Sequence, residues 1–235
     1  MDVGFTRAGF EVLWAAEKDQ AACDTYNHNA EVAVSRRLDL RTFDFDELRR
    51  ELPGPVDCLF GGPPCQGFSR NSRKGKMRLD DPRNKLVHVF MDAVDSLRPR
   101  SFLMENVKNL CTNALFKPIL DKLIERAKGL GYACEYKVLN THNFDVPQSR
   151  ERLILVGFLH TATPTQYFHG LAAFSRRGQT CGEALWDIGR AGTPSNPATC
   201  NAEIKVCKNP VLRESAYSGM LFNGRGGPWL PPALA

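Results

Sequence analysis

A thiol placed at the end of an apolar run is the sharpest chemical feature of this chain. Val56 to Phe60 reads as a strand, and Gly61-Gly62-Pro63-Pro64-Cys65-Gln66-Gly67-Phe68-Ser69 follows it directly. Ligands of open α/β sheets bind beyond the carboxyl ends of strands, so Cys65 is expected to face a crevice. The two prolines restrict the backbone before the thiol and remove amide donors there. Cysteine is the side chain most easily used as a nucleophile near neutral pH, above all where positive groups favour the thiolate. The plain alternative is a buried cysteine in a proline turn. Arg70, Arg73, Lys74, Lys76 and Arg78 come next, with no carboxylate before Asp80. Small polar residues separate them, a composition that suits an arm meeting phosphates or a solvated basic loop. Beside a nucleophile, it points to chemistry on nucleic acid.

Glu105 follows the apolar run Ser101 to Met104, a second strand end. A carboxyl group across the crevice from a thiolate can hold a proton on a heteroaromatic ring while sulfur adds to it, although a helix cap or a solvated strand end is the simpler reading of Glu105 alone. Asn106 is expected to brace the turn. Gln148-Ser149-Arg150-Glu151-Arg152 enters another strand, and alternation sends Gln148, Arg150 and Arg152 to one side. Two arginines on one face need anions or carboxylates, so they could steady Glu105, a base carbonyl or a phosphate, or form a surface ion-pair ladder. Two more acids suit a nucleoside. Glu17, ending Val12 to Ala16, could accept both hydrogen bonds of a ribose diol, and Asp39 could accept from an adenine amine; either could equally be a solvated acid after a strand.

The elements that must position these residues alternate short β-like runs with helical stretches over the first 160 residues, the rhythm of βαβ units. A mostly parallel sheet with helices on both faces is expected. Candidate strands are Glu11 to Ala16, Val56 to Phe60, Ser101 to Met104, Tyr132 to Leu139 and Leu153 to Phe158. Candidate helices are Thr6 to Ala8 as the tail of a larger one, Gln20 to Asn27, Leu86 to Leu97, and Phe116 to Lys128 with Pro118 in its first turn. From His160 onward the texture is turns and prolines, read as a second, loop-rich lobe.

The 235 residues carry 31 Lys+Arg against 26 Asp+Glu, are 43% hydrophobic and hold eight cysteines with no CxxC pair. That composition is globular, and the cysteine spacing argues against structural zinc. No run approaches the roughly 20 apolar residues needed to cross a bilayer, and the opening lacks a signal-peptide pattern. A soluble, cytoplasmic chain is expected.

Taken together, these motifs resemble the DNA cytosine-5 methyltransferases. The resemblance is carried by AlaGlyPhe at 8 to 10, Glu17, Asp39, GlyGlyProProCysGlnGlyPheSer at 61 to 69, AspProArgAsn at 81 to 84 with Leu86, GluAsnVal at 105 to 107, and ValProGlnSerArgGluArg at 146 to 152 followed by ValGly at 156 to 157. It covers about residues 3 to 158. It implies a Rossmann-like, S-adenosylmethionine-dependent α/β fold, with residues 1 to 160 catalytic and 161 to 235 part of a target-recognition region. Cys65 would attack cytosine C6, Glu105 would engage N3 and the exocyclic amine, and Arg152 would touch the base carbonyl and support Glu105. Arg150 would lie nearer a phosphate. Gln66, Ser69 and the Arg70 to Arg78 segment would close over the DNA. Glu17 would bind the cofactor ribose and Asp39 the adenine, with Leu40, Pro64 and Leu86 lining that pocket. The cofactor would be S-adenosyl-L-methionine without a metal, and the partner double-stranded DNA with its target cytosine out of the stack. A cognate restriction endonuclease would be the system partner.

Three departures from the family pattern stand out. The strand and glycine turn that normally open the fold, and the closing regions, are not recognisable, so the chain is expected to be a fragment. Asp145 stands where a glycine often precedes ValProGln. A truncated homologue that binds DNA without transferring methyl groups is therefore the alternative to an active enzyme, and the same thiol chemistry would suit cytosine in RNA.

Overall fold

Strict alternation along Ser101 to Val107 sets the centre of the molecule. In the computed structural model, which describes residues 1–64, 85–160, 164–176, 178 and 180, this segment is strand β4 (Ser101–Val107), with Phe102, Met104 and Asn106 buried. Before it in the chain come α1 (Asp2–Arg7), β1 (Ala15–Glu17), α2 (Gln20–Asn29), β2 (Ser35–Arg37), α3 (Phe45–Glu51), β3 (Cys58–Gly61) and α4 (Leu86–Leu97). After it come α5 (Asn109–Thr112), α6 (Lys117–Gly129), β5 (Tyr132–Asn140), β6 (Glu151–Leu159) and α7 (Pro164–Ala172).

The inner face of β4 and the matching residues Leu153 and Leu155 of β6 pack on α4 and α6. Val87, Met91 and Val94 line one side of α4, and Leu120, Leu123 and Ala127 one side of α6, each set at helical spacing. Ala93 and Leu97, elsewhere on α4, join Phe45 and Leu48 of α3 in a second cluster that Trp14 and Leu40 flank. Thus α4 serves two cores. Arg98 closes α4 with φ +49°, donates from Nη2 to the Leu130 carbonyl at 2.8 Å and lies 5.7 Å from the Tyr132 ring centre. The Tyr132 hydroxyl donates to the Pro99 carbonyl at 2.6 Å, and burial pushes its pKa up to about 12.

The strands form two sheets. β1 pairs with β2 in parallel, while β3, β4, β6 and β5 lie side by side in that order. β3 and β4 are parallel, whereas β6 runs antiparallel to both of its neighbours. The expected mostly parallel sheet is therefore mixed. The reason lies in the connections: β4 reaches β5 through α6, but only residues 141–150 separate β5 from β6, and an antiparallel return needs no crossover helix.

The Leu86–Leu97 helix has its expected bounds, α6 differs by one residue at each end and holds Pro118 in its first turn, and β5 and β6 extend their expected strands. The run from Glu11 yields strand only from Ala15. Elements that had not been foreseen include the short α5, α7 within the stretch expected to be loops, β2 and α3. The last carries a readable cap, since the Asp44 side chain accepts from Asp46 N and Glu47 N.

Two compact units divide the chain, residues 1–140 with 150–175 and residues 141–149 with 176–235. Helix α7 belongs to the first, where Thr165 Oγ1 donates to Glu135 at 2.8 Å and Tyr167 meets Phe158. In the second, Phe144 bridges to Arg176, and Asp145 adopts φ +61°, the conformation that a glycine would take freely.

Candidate active site

The end of β3 and the end of β4 are built as one piece. Their register places Gly61 beside Met104, one residue before Glu105. The chain then leaves the sheet through Gly62, where a Cβ would lie 3.1 Å from Glu105 Oε2, so the carboxylate packs directly on the bare backbone. Asn106, 1% exposed, donates from Nδ2 to the Pro63 carbonyl at 3.2 Å and accepts from Val107 N at 2.9 Å. The expected brace is thus a two-way tie between the strand bearing Glu105 and the root of the Cys65 segment. Replacing Asn106 by Ala leaves the Pro63 carbonyl and Val107 N–H without this partner and is expected to cost about 1–3 kcal/mol, read as a lower urea midpoint. An unchanged midpoint would show that the tie bears no strain.

Glu105 meets Arg152 across the sheet. Arg152 stands opposite Val107 and Glu105 opposite Ile154, so the two are diagonal neighbours on the outer face, with Arg152 Nε donating to Glu105 Oε1 at 2.7 Å. Their side chains are 23% and 29% exposed, enough burial for the pair to hold one geometry. Arg152 Nη1 also donates to the Glu151 carbonyl at 2.8 Å, and the Glu151 carboxylate pairs with Lys108 just past β4. This outer pair had not been foreseen; the opposite charges at the two strand ends were its signal.

Of the two arginines expected on one face, Arg152 is the one that reaches Glu105. The strand starts only at Glu151, so alternation does not extend back to Gln148. Arg150 is exposed, and its backbone N–H donates to Asn140 Oδ1 at 3.1 Å. Cys65, Gln66, Ser69, Arg70, Arg73, Lys74, Lys76 and Arg78 lie outside the described residues.

The acids assigned to a nucleoside sit on the other sheet. Glu17 ends β1 opposite Arg37 of β2, and its Oε1 accepts from Lys18 N at 2.8 Å. The ladder continues with Leu38 N donating to the Glu17 carbonyl at 3.0 Å, which sets Asp39 just beyond the neighbouring strand end. Leu40 turns into the α3–α4 cluster, Leu86 is half-buried at the start of α4, and Pro64 is exposed. The Asp39 carboxylate is already engaged. Arg41 donates from Nε to Oδ1 at 2.9 Å and from Nη2 to Oδ2 at 2.5 Å, and Lys18 Nζ donates to Oδ2 at 3.1 Å. The bonds from Arg41, then those from Lys18, hold this carboxyl well below the usual carboxylate range. Two carboxylates at the ends of adjacent parallel strands, beside an apolar Leu40, have the acceptor chemistry that a ribose diol and an aminopurine require, Asp39 only where a donor from Arg41 or Lys18 gives way. Among the described residues no group of three or more His, Cys, Asp or Glu is arranged to hold a metal, and no helix is long and apolar enough to cross a membrane.

The type II methyltransferase M1.HphI of Haemophilus parahaemolyticus is 40% identical over 156 residues, which cover 66% of this chain and 42% of that protein. M.FnuDI of Fusobacterium nucleatum, also a type II methyltransferase, is 29% identical over 237 residues, covering 100% of this chain and 66% of the relative. The chain therefore spans only part of the length of these relatives. Among solved structures, a prophage-encoded protein of E. coli described as a DNA modification methyltransferase superposes with a TM-score of 0.65 at 25% identity, over 80% of this chain and 52% of that one. Spodoptera frugiperda DNMT2, at 24% identity and a TM-score of 0.54 over 69% of this chain and 47% of its own, shares the fold. The Rossmann-like methyltransferase architecture is thus shared even where the sheet direction is mixed. The model of the C-5 cytosine-specific DNA methylase family matches residues 1–209, a span that includes both strand ends joined by Asn106 and the Glu105–Arg152 pair, and the chain belongs to that family.

Proposed function

We propose that the protein methylates C5 of a cytosine turned out of duplex DNA, through a covalent bond between Cys65 and C6 of the base. The observation that carries this reading is the Glu105–Arg152 pair, set against the root of the Cys65 segment by Gly62 and Asn106. Cys65 follows Pro63 by two residues in the sequence.

The Cys65 thiolate adds to C6, and the C5–C6 electron pair moves to C5 while Glu105 gives a proton to N3, accepts from the exocyclic amine, and takes the N3 proton back when the thiolate leaves. Arg152 donates to the base carbonyl and to Glu105, which fixes the carboxyl where charge develops. S-adenosyl-L-methionine would be held by Glu17 at the ribose, Asp39 at the adenine, and Leu40, Pro64 and Leu86 around it, and would supply the electrophilic methyl group that the C5 electron pair takes, with S-adenosyl-L-homocysteine as the product. A base then removes the C5 proton, the thiolate is eliminated from C6, and the double bond returns. Gln66, Ser69 and Arg70, Arg73, Lys74, Lys76 and Arg78 close over the DNA, Arg150 lies toward a phosphate, and residues 161–235 contribute base reading. Because the relatives are type II methyltransferases, a cognate endonuclease is the natural system partner.

The test is a denaturation-resistant adduct with duplexes carrying 5-fluorocytosine in randomised contexts, run with S-adenosyl-L-methionine and a Cys65→Ser control. Fluorine blocks the last proton loss, so a Cys65- and cofactor-dependent adduct reports addition and methyl transfer together. A folded chain that forms none, while a full-length relative does so in the same pool, would overturn self-sufficient activity and leave a DNA-binding homologue. Competition with structured RNA separates the two polymers.

A further inference from the structure

The Asp39 carboxylate offers about four lone-pair directions, and donors already occupy them. Oδ1 receives Arg41 Nε at 2.9 Å and Arg41 N at 3.2 Å; Oδ2 receives Arg41 Nη2 at 2.5 Å and Lys18 Nζ at 3.1 Å. An aminopurine brings one more donor to an acceptor that is already full. Lys18, with a single bond and a side chain 68% exposed, is the looser of the two cations, while Arg41 covers both oxygens with a fork that is 44% exposed.

We propose that Arg41 is a specificity-determining residue of the nucleoside site, competing with the purine 6-amino group for the Asp39 carboxylate. The proposal rests on the reading of Glu17 and Asp39 as the nucleoside-binding acids. The chain with Asp39 free is the binding-competent fraction, and the observed affinity is the intrinsic affinity scaled by that fraction. Arg41 thus weakens binding of any adenine nucleoside. It also changes the chemistry on offer: Arg41 spends Nε and one Nη2 hydrogen on Asp39 and leaves its remaining guanidinium hydrogens to suit a 6-oxo acceptor, whereas without it the site presents a carboxylate with Lys18 as its remaining side-chain donor, which suits an amine and repels a carbonyl oxygen. The ion pair is exposed, so its effect is small and screened by salt.

The experiment is calorimetric titration of the purified chain and its Arg41→Ala variant with S-adenosyl-L-homocysteine and with S-inosyl-L-homocysteine, each at low and high salt. Arg41→Ala is expected to bind the adenosyl compound about two- to fivefold more tightly, the range of exposed ion pairs, and the inosyl compound more weakly. Salt should strengthen adenosyl binding by the parent, and the gain on removing Arg41 should shrink. Arg36→Ala, which removes the same charge from the Glu51 pair on β2, is expected to leave both affinities unchanged. Equal or weaker adenosyl binding by Arg41→Ala, while the parent binds, would overturn the proposal and leave the nucleoside reading standing. No saturable binding by either protein, both folded by circular dichroism, would overturn the nucleoside reading and the proposal with it.

Discussion

Glu105→Gln is expected to lower methyl transfer by about 10²–10⁴-fold, the span of a lost general acid, with duplex affinity little changed. Glutamine fills the same volume beside Gly62 and can still accept from Arg152 Nε through its carbonyl oxygen, so the strand ends keep their positions. It cannot carry the charge that balances a proton at N3 of the base. Arg152→Ala is expected to fall short of that loss in rate yet to cost some stability as well, because it strips a partly buried carboxylate of its partner. Arg152→Lys should recover little, since an ammonium does not reproduce the directed Nε donor. If the two residues act as a unit, the double variant Glu105→Gln/Arg152→Ala transfers no more slowly than Glu105→Gln alone. Single-turnover rates with saturating duplex decide this. A Glu105→Gln rate equal to the parent's would remove the carboxyl from the chemistry.

Gly157→Ala is expected to destabilise the chain by about 3 kcal/mol, the upper end of overpacking costs, and to lower the urea midpoint accordingly. A Cβ at Gly157 would stand 2.1 Å from Phe102 Cε1 and 2.5 Å from Cζ. The ring has nowhere to retreat: Phe102 is 1% exposed, with Tyr132 edge-on at 5.3 Å and Phe90 at 6.1 Å between centres. Gly157 and Phe102 are register partners on the two strands that carry Arg152 and Glu105, so a shift that relieves the clash is felt at the site. Phe102→Leu placed in the Gly157→Ala background should recover part of the loss, the signature of two residues sharing one space. A Gly157→Ala chain as stable as the parent would mean the ring does not lie on the glycine.

What the sequence made legible follows from what each signal encodes. The apolar run from Ser101 to Met104 and the apolar stripes of α4 and α6 report burial, so α4 and α6 stand where the pattern puts them to within a residue, while β4 begins with its run and continues through Glu105 and Asn106 to Val107. Strand direction leaves no such trace, and the antiparallel course of β6 followed only from the connection that the chain makes. β2, three residues reading Ser-Arg-Arg, is too short and polar to show a period, although Asp44 and Glu47 marked the α3 cap. At the site, Glu105 and Arg152 were legible because each follows or opens an apolar run, although β4 continues past Glu105 to Val107 and places the acid inside the ladder, where it meets Arg152 across the sheet. Arg41 was not, because its bond to Asp39 depends on a side-chain rotamer and not on periodicity. Gly157 entered only as part of a motif; its reason, the Phe102 ring in the space that a Cβ would take, is a packing fact.

The separate β1–β2 ribbon carries a thermodynamic consequence. Of its six residues only Ser35 is buried, held by Asn27 and by the Cys23 thiol of α2, while the four-stranded sheet rests on the larger core. Two strands alone are marginal in water, so this part of the chain is the natural candidate for local opening while the sheet beneath Glu105 and Arg152 stays closed. A nucleoside bound at Glu17 and Asp39 would then favour the closed ribbon by mass action. Amide exchange in β1 and β2 would slow on binding while that of β4 and β6 stayed as it was, and the cofactor would act as a fold-completing ligand for one half of the unit.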